Sequence, residues 1–520
     1  MNKIKILWAD DEIERLKAQI LFLEKKGYQI VPVTNGYDAI DHCREEAVDV
    51  VFLDESMPGI SGLETLTKIK EIDANLPIVM ITKNEAENIM EEAIGVQITD
   101  YLIKPVNPSQ ILLTLKKIID NTRLVSEATT SAYQQQFRRI FNDIQLGADH
   151  RDWADIYKKL IYWELELDNA KTENMKEVLA MQKSEANTEF SKFIIKNYVR
   201  WIQNRTHGDI PTMSHTLFRD KIFPNIEDNA TNFVILIDNL RFDQWKILQP
   251  IISEEFRFLE EDTFFSILPT STHYSRNAIF AGLMPFDIAR RFPHLWKNDV
   301  DEGGKNLEEE AFLADQLDRT NNNMKFSYTK ITNNYNARNL VDNIHNLTHN
   351  KLNVIVYNFV DMLSHARTEM EVLKELASDE SAYRSITKSW FLHSPLWQAM
   401  RRLKDQKKKV NIFITTDHGT IRVNRPSKVV GDRNTTTNLR YKHGKNLKYN
   451  SRDVLEVRNP RDAMLPCPRV SSTFIFAKED LFFVYPNNYN HFVNYFRNTF
   501  QHGGISLEEV IIPVARFTSK

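Results

Sequence analysis

Short runs of β-branched and apolar residues recur along this chain, and most run straight into a polar or charged side chain. Lys5–Ala9 leads into Asp10-Asp11, and Val48–Leu53 into Asp54. Ile78–Thr82 closes on Thr82, and Asp100–Ile103 leads into Lys104-Pro105; Gln29–Thr34 is a further run of the same kind. Amphipathic stretches at helical spacing separate them. Buried strands alternating with helices predict a parallel sheet covered on both faces. The carboxyl ends of such strands converge on one edge, where ligands bind. The alternation stops between about 122 and 205. There Trp153, Tyr157, Leu160, Trp163 and Leu167 fall at three- and four-residue spacing, which predicts helices. From about 206 it returns, with Phe233–Ile237, Val354–Phe359 and Val410–Thr415 as the clearest strands. The expected architecture is therefore α/β in three parts. A five-stranded βα domain spans 1–121, a helical linker or bundle spans 122–205, and a larger α/β domain spans 206–520.

Composition removes several classes. Lys+Arg 67 against Asp+Glu 70 gives a net charge of −3, which argues against a wholly basic nucleic-acid coat. Only Cys43 and Cys467 are present, too few for a disulfide framework or a thiolate-rich metal site. No apolar run reaches the length of a membrane span, and the N-terminus does not read as a signal peptide, so cytoplasmic residence without membrane insertion is expected. Glycine is scarce, 15 in 520, and neither a Walker loop nor G-x-G-x-x-G occurs. Phosphate chemistry would then fall to metals, with the 14 histidines as ligands.

In the first segment Asp10, Asp11 and Asp54 would share one sheet edge. Clustered carboxylates repel one another unless a hard cation neutralises them, and few ligands plus waters suit Mg²⁺. Thr82 and Lys104 add a hydroxyl and a fixed positive charge there. This order of residues resembles the receiver domain of bacterial response regulators, and Met57-Pro58-Gly59 matches the turn of that family. The resemblance implies phosphorylation of Asp54 by a cognate sensor histidine kinase. It also implies Mg²⁺ held by Asp10, Asp11, Asp54 and the Ser56 carbonyl, a switch formed by Thr82, Tyr101 and Lys104, and phosphorylation-dependent homodimerisation.

The last segment carries a second constellation. Asp238 closes the run Val234–Ile237, and Thr272 lies in Pro269-Thr-Ser-Thr-His-Tyr-Ser-Arg-Asn277. Asp361 and His365 form an i, i+4 pair on one helix face, Asp417-His418-Gly419 follows another strand, and His502 opens His-Gly-Gly504. Imidazole and carboxylate without thiolate suit Zn²⁺ first and Mn²⁺ second. Taken singly, each of these residues could equally be a helix cap or a surface pair.

The order and spacing resemble the alkaline phosphatase superfamily, in the PglZ-type branch fused to a receiver that is associated with type IX secretion. The resemblance implies two Zn²⁺ ions, one on Asp361, His365 and His502. The other would lie on Asp238, Asp417, His418 and the oxygen of Thr272, which is the catalytic nucleophile. Arg276 and Asn277 could donate to phosphate oxygens.

The stretch Arg422–Arg452 holds nine Lys/Arg (422, 425, 428, 433, 440, 442, 445, 448 and 452) against Asp432 alone. Such a rim, with Arg440 and Lys442 as candidate substrate contacts, would attract a polyanion. Tyr441 and Tyr449 could stack a base. A nucleotide or oligonucleotide diester, linear or cyclic, is the expected substrate, in keeping with what the resemblance implies. Two alternatives stand at this point. One is a non-catalytic output with structural metals that binds a sigma factor or secretion components; the other is a phosphomonoesterase.

Overall fold

The computed structural model describes the chain except residues 1–3, 74–75, 84–97, 120–126, 148, 170–172, 204–208, 300, 370–378, 405, 407, 433–434 and 468–471. Contacts divide it into two compact units, 1–139 with 166–183 and 140–165 with 184–520.

The first unit is built on β1 (Lys5–Ala9), β2 (Gln29–Val33), β3 (Val50–Asp54), β4 (Ile78–Thr82) and β5 (Asp100–Ile103), all parallel in the order β2-β1-β3-β4-β5. Alternate residues serve opposite faces, as the strand period requires. Ile6, Trp8, Phe52, Val79 and Ile81 fill one core, and Leu7, Val51, Leu53, Ile78 and Met80 the other. The helices start where their caps stand. Asn35 accepts from the Asp38 amide at 2.9 Å, and Ser61 forms a capping box with Glu64 ahead of the helix Gly62–Ile72. Gly62 is required, because a Cβ there would lie 2.3 Å from the Asp54 carbonyl oxygen. Because these strands are parallel, the carboxyl ends of β1, β3, β4 and β5 share one edge.

Three helices, Glu127–Leu146, His150–Asn169 and Glu173–Gln203, follow. Their residues are shared between the two units. In the first, Tyr133 donates to Gln182 at 3.1 Å. In the second, Trp153 packs edge-on against Phe190, and Trp201 against Phe265. No helix among the described residues is long and apolar enough to cross a membrane.

The second unit carries β6 (Thr231–Ile237), β7 (Phe256–Phe265), β8 (Phe326–Ile331), β9 (Leu352–Tyr357) and β10 (Val410–Thr415). An excursion follows, made of β11 (Ile421–Arg422), β12 (Arg425–Lys428), β13 (Tyr441–Gly444), β14 (Val454–Val457), β15 (Thr473–Ala477), β16 (Leu481–Val484) and β17 (Phe500–Gln501), before β18 (Ile511–Ser519). The main sheet runs β7-β18-β10-β6-β9-β8. Strands β10, β6, β9 and β8 are parallel, and β18 is antiparallel to both of its neighbours. Residue 359 starts a helix, Phe359–Glu369, rather than ending a strand. The three neighbouring strands β10, β6 and β9 thus deliver Asp417-His418, Asp238 and Asp361 to one edge.

Phe52 is fully buried in the middle of the first sheet. Phe52→Ala is expected to destabilise the first unit by about 3–5 kcal/mol, read as a lower denaturant midpoint of its unfolding transition.

Candidate active site

At the edge of the first sheet, Asp10 and Asp54 are buried and Asp11 is exposed, with one carboxylate oxygen of each within 4.8 Å of the others. Lys104 Nζ lies 2.9 Å from Asp10 Oδ2 and 2.9 Å from Asp54 Oδ1. Burial holds the Asp54 carboxyl above the usual range, against the Lys104 hydrogen bond and with Asp10 adding to the push. Burial opposes the charge of Lys104, but Asp10 and Asp54 outweigh it and hold its amine above its ordinary value. The Thr82 hydroxyl donates to Glu55, and Ser56 is exposed in the turn after β3. Tyr101 has its hydroxyl 2.6 Å from Arg138 Nη1 and its ring 4.3 Å beneath that guanidinium.

At the edge of the second sheet, Asp238, Asp417 and His418 are buried, again with ligand atoms within 4.8 Å of one another. Thr272 is the first residue of the helix Thr272–Ala281. Its Oγ1 stands 3.0 Å from His418 Nε2 and 3.3 Å from Asp238 Oδ1. Burial would raise Asp238, but Arg276 and His418 outweigh it and keep the carboxyl below the usual range. Asp417 goes the other way, pushed well up by burial and then by the charge of Asp238. Burial also lowers His418, so its imidazole is neutral.

Two backbone carbonyls fix the imidazoles. His418 Nδ1 lies 3.1 Å from the Gly419 carbonyl oxygen, and His502 Nδ1 lies 3.2 Å from that of Thr270. A ring nitrogen facing a carbonyl carries the proton, which leaves each Nε2 as an acceptor or ligand. His502 Nε2 is 3.7 Å from Asp361 Oδ1, and its ring stacks on His418 at 4.3 Å. His365 shares the helix of Asp361, but its side chain lies outside the described residues. The donors fit a divalent cation. They are imidazoles with Nε2 left as an acceptor and clustered carboxylates, and Asp417 Oδ2 is buried without a hydrogen bond.

Several supports have no motif in the sequence. Asn239, at φ 64°, donates its amide to Asp417 at 3.2 Å and its side chain to Asp361 at 3.4 Å, so it links the two groups of acids. A left-handed Asn directly after a strand-end Asp was the available signal. Thr270 holds the His502 loop, accepting from the Gly503 amide at 3.0 Å and donating to the Gly504 carbonyl at 2.9 Å.

The four residues read from the sequence as phosphate contacts are all buried and held by protein partners. Arg276 is committed to Asp238 at 2.8 Å and Glu309 at 2.6 Å, so it braces a ligand carboxylate. Asn277 donates to the Lys305 carbonyl at 3.1 Å and accepts from Asn306 at 3.1 Å, and Asn306 also holds the Thr272 carbonyl. Arg440 is fully buried against both oxygens of Glu509, which also fixes the Gly504 amide at 2.8 Å. Lys442 is buried with its amine on the Thr436 carbonyl at 2.9 Å and 4.5 Å from the Tyr485 ring centre. Of the remaining cations in the basic stretch, Arg425 pairs with Glu479 and Asp480, and residue 433 lies outside the described residues. Arg422, Lys428, Lys445, Lys448 and Arg452 form no ion pair among the described residues.

Three stretches match known families. Residues 217–517 match the BREX system PglZ alkaline phosphatase-like domain, 123–202 the PorX response regulator linker domain, and 6–116 the response regulator receiver domain. Among curated proteins the chain is similar to the transcriptional regulatory protein ZraR of Klebsiella oxytoca. The identity is 30% over 156 residues, covering 28% of this chain and 35% of ZraR. It is also similar to the transcriptional regulatory protein ResD of Bacillus subtilis, 33% identical over 155 residues, covering 30% of this chain and 64% of ResD. The chain therefore spans less than two thirds of the length of these relatives. Among solved structures, the chemotaxis protein CheY4 of Vibrio cholerae shows 27% identity and a TM-score of 0.22, over 23% of this chain and 100% of that one. In this chain an alkaline phosphatase-like domain thus follows a receiver domain.

Two expectations follow from the burial of Arg440 and Lys442. Arg440→Leu leaves the Glu509 charge buried and unpaired. It should cost about 3–5 kcal/mol in denaturant unfolding, where an open rim cation would cost almost nothing. Burial pulls the Lys442 amine from 10.5 down to about 7. Between those values the folded protein binds fewer protons than the unfolded one, so this residue's unfavourable contribution is full below about 7 and is relieved as pH rises toward 10.5. Lys442→Met is therefore expected to gain on the order of a few kcal/mol at neutral pH, with the gain vanishing by pH 10.5 in parallel melts.

Proposed function

The chain belongs to the PglZ alkaline phosphatase-like family, and from that membership we propose a phosphorylation-controlled, zinc-dependent phosphodiesterase that cleaves nucleotide or oligonucleotide diesters. One observation carries the reading. The Thr272 hydroxyl sits at a helix N-terminus, within hydrogen-bond reach of Asp238 and His418. A purely structural metal site would have no use for a hydroxyl there. Asp238, Asp417, His418 and Thr272 would hold one Zn²⁺, and Asp361, His365 and His502 the other.

Metal bound there supplies Lewis acidity that favours the alkoxide and offsets charge on the transferring phosphoryl group. The protein does the rest. The positive end of the helix dipole favours negative charge on Thr272 Oγ1. The Gly419 and Thr270 carbonyls hold the imidazoles in one tautomer. Thr272 Oγ1 attacks phosphorus in line as the bond to the leaving alcohol breaks, and water then hydrolyses the phosphothreonine. The unpaired cations of the basic stretch favour a substrate with several phosphates over a small monoester.

In the first domain, assigned to 1–121, Asp54 would accept the phosphoryl group, with Mg²⁺ on Asp10, Asp11, Asp54 and the Ser56 carbonyl. Thr82, Tyr101 and Lys104 would reorganise around it and drive dimerisation. The helical segment is assigned to 122–205 and the output domain to 206–520. A role in type IX secretion, with a sigma factor or secretion components as further partners, follows from the sequence resemblance given above, and the match to the PorX response regulator linker domain is in keeping with it.

Thr272→Ala is expected to lower hydrolysis of bis(p-nitrophenyl) phosphate on the order of 10³-fold or more while bound zinc, measured by mass spectrometry, stays at the wild-type level. Asp54→Ala should keep the basal rate and lose any response to acetyl phosphate. Normal turnover by Thr272→Ala would overturn the covalent mechanism. Two bound zincs with no hydrolysis of any phosphate ester would favour a protein-binding output. Faster cleavage of p-nitrophenyl phosphate than of its bis-ester would favour a monoesterase.

A further inference from the structure

Two buried backbone amides beside the candidate site take their hydrogen bonds from the helix Glu173–Gln203. The Leu268 amide donates to the Tyr198 hydroxyl at 2.8 Å, and the Leu507 amide donates to Asn187 Oδ1 at 2.8 Å. The Asn187 side chain also donates to Glu508 Oε2 at 3.1 Å. All of these groups belong to the second unit. Asn187 and Tyr198 are eleven residues apart, about three helical turns, so they share one face. Phe190, Ser191 and Ile194 lie between them and are buried too. An apolar residue at 187 or 198 would fill the same space but leave a buried amide unpaired.

The segments that own these amides give the contacts their consequence. Leu268 stands four residues before Thr272. Between them, Thr270 holds the His502 loop through Gly503 and Gly504. Leu507 opens the short helical turn Leu507–Val510. The Glu508 carbonyl oxygen in that turn lies so close to Gly419, the residue after His418, that a Cβ there would come within 2.1 Å of it. Glu509 in the same turn accepts from the Gly504 amide at 2.8 Å, and its carbonyl accepts from the Gly419 amide at 3.3 Å. Asn187 and Tyr198 are thus each one backbone segment removed from the reacting groups.

We infer that Asn187 and Tyr198 are positioning residues for the candidate site. Tyr198 sets the segment that carries Thr272, and Asn187 sets the turn on which the His418 and His502 segments rest. The inference rests on the zinc phosphodiesterase reading above and adds to it the helix face that fixes the geometry of the site. Because one face holds both segments, a small shift of this helix displaces the nucleophile and the ligands together. Reacting groups tolerate little misplacement, so such a shift changes rate before it changes substrate binding.

The test combines steady-state hydrolysis of bis(p-nitrophenyl) phosphate by the full-length protein with zinc affinity, measured by competition against a chromophoric chelator. Tyr198→Phe removes only the hydroxyl. It is expected to keep wild-type zinc affinity and KM while kcat falls about tenfold or more. Asn187→Ala is expected to bind zinc about tenfold more weakly than wild type. Ile194→Val, on the same buried face, is the control, with a lower melting temperature but unchanged kcat and zinc affinity. Wild-type kcat in Tyr198→Phe overturns the role of Tyr198, and wild-type zinc affinity in Asn187→Ala overturns that of Asn187. Equal losses in Ile194→Val overturn both, because general destabilisation would then account for them. A wild-type protein that binds zinc but cleaves no phosphate ester counts against the phosphodiesterase reading. The zinc affinity of Asn187→Ala then decides the positioning by itself.

Discussion

Carboxylates gathered at the end of a parallel sheet repel one another, and both halves of this protein are organised around that repulsion. Strand ends converge whatever residues they carry, so the acids at β1 and β3, and those after β6 and β10, are brought together by topology alone. In the first unit Lys104 bridges Asp10 and Asp54. In the second, Arg276 reaches Asp238 and Glu309, and Glu309 is itself held at 2.7 Å by Lys330. Each site combines a fixed protein cation with acids in excess of it, and the excess is what a metal ion would neutralise.

The arginines show how much position decides. Arg276, Arg440 and Arg241 are all buried, and each meets a carboxylate. Removing one partner of such a pair costs more than the pair contributes, because the survivor is left charged in a medium that cannot solvate it. Arg440 therefore acts on the site through Glu509 and the Gly503-Gly504 loop that follows His502. Gly503 has φ 120°, a conformation that favours glycine, and a Cβ on Gly504 would meet the Ala477 carbonyl oxygen at 2.5 Å.

The strand-end residues were legible in the sequence because the strand period and the convergence of parallel strands both operate locally. Asp54, Asp238 and Asp417 could be placed without knowing any long-range contact. The burial of Arg440 and Lys442 was not legible because a charge run does not reveal which members turn inward; Lys442 lies in β13, whose residues are all buried, and Arg440 directly precedes it. Glu309 and Asn306 were missed because they meet the site only through contacts distant in sequence, onto Arg276 and Thr272. Asn239 could have been noticed, since a left-handed turn after a strand is a place where asparagine is favoured.

Strand β18 comes last among the strands of the larger sheet, yet it lies between β7 and β10. That sheet cannot be completed in the order in which a ribosome makes it. Until β18 is available, β10 has a bare edge on one side, and so does β7. The segment holding Asp417 and His418 hangs from the end of β10 and is tied back by the Glu509 carbonyl, 3.3 Å from the Gly419 amide, just before β18 begins. A growing chain would thus make its candidate nucleophile about midway and then hold its ligand residues unassembled until the last strand. Any chemistry at this edge therefore waits on the last strand of the sheet.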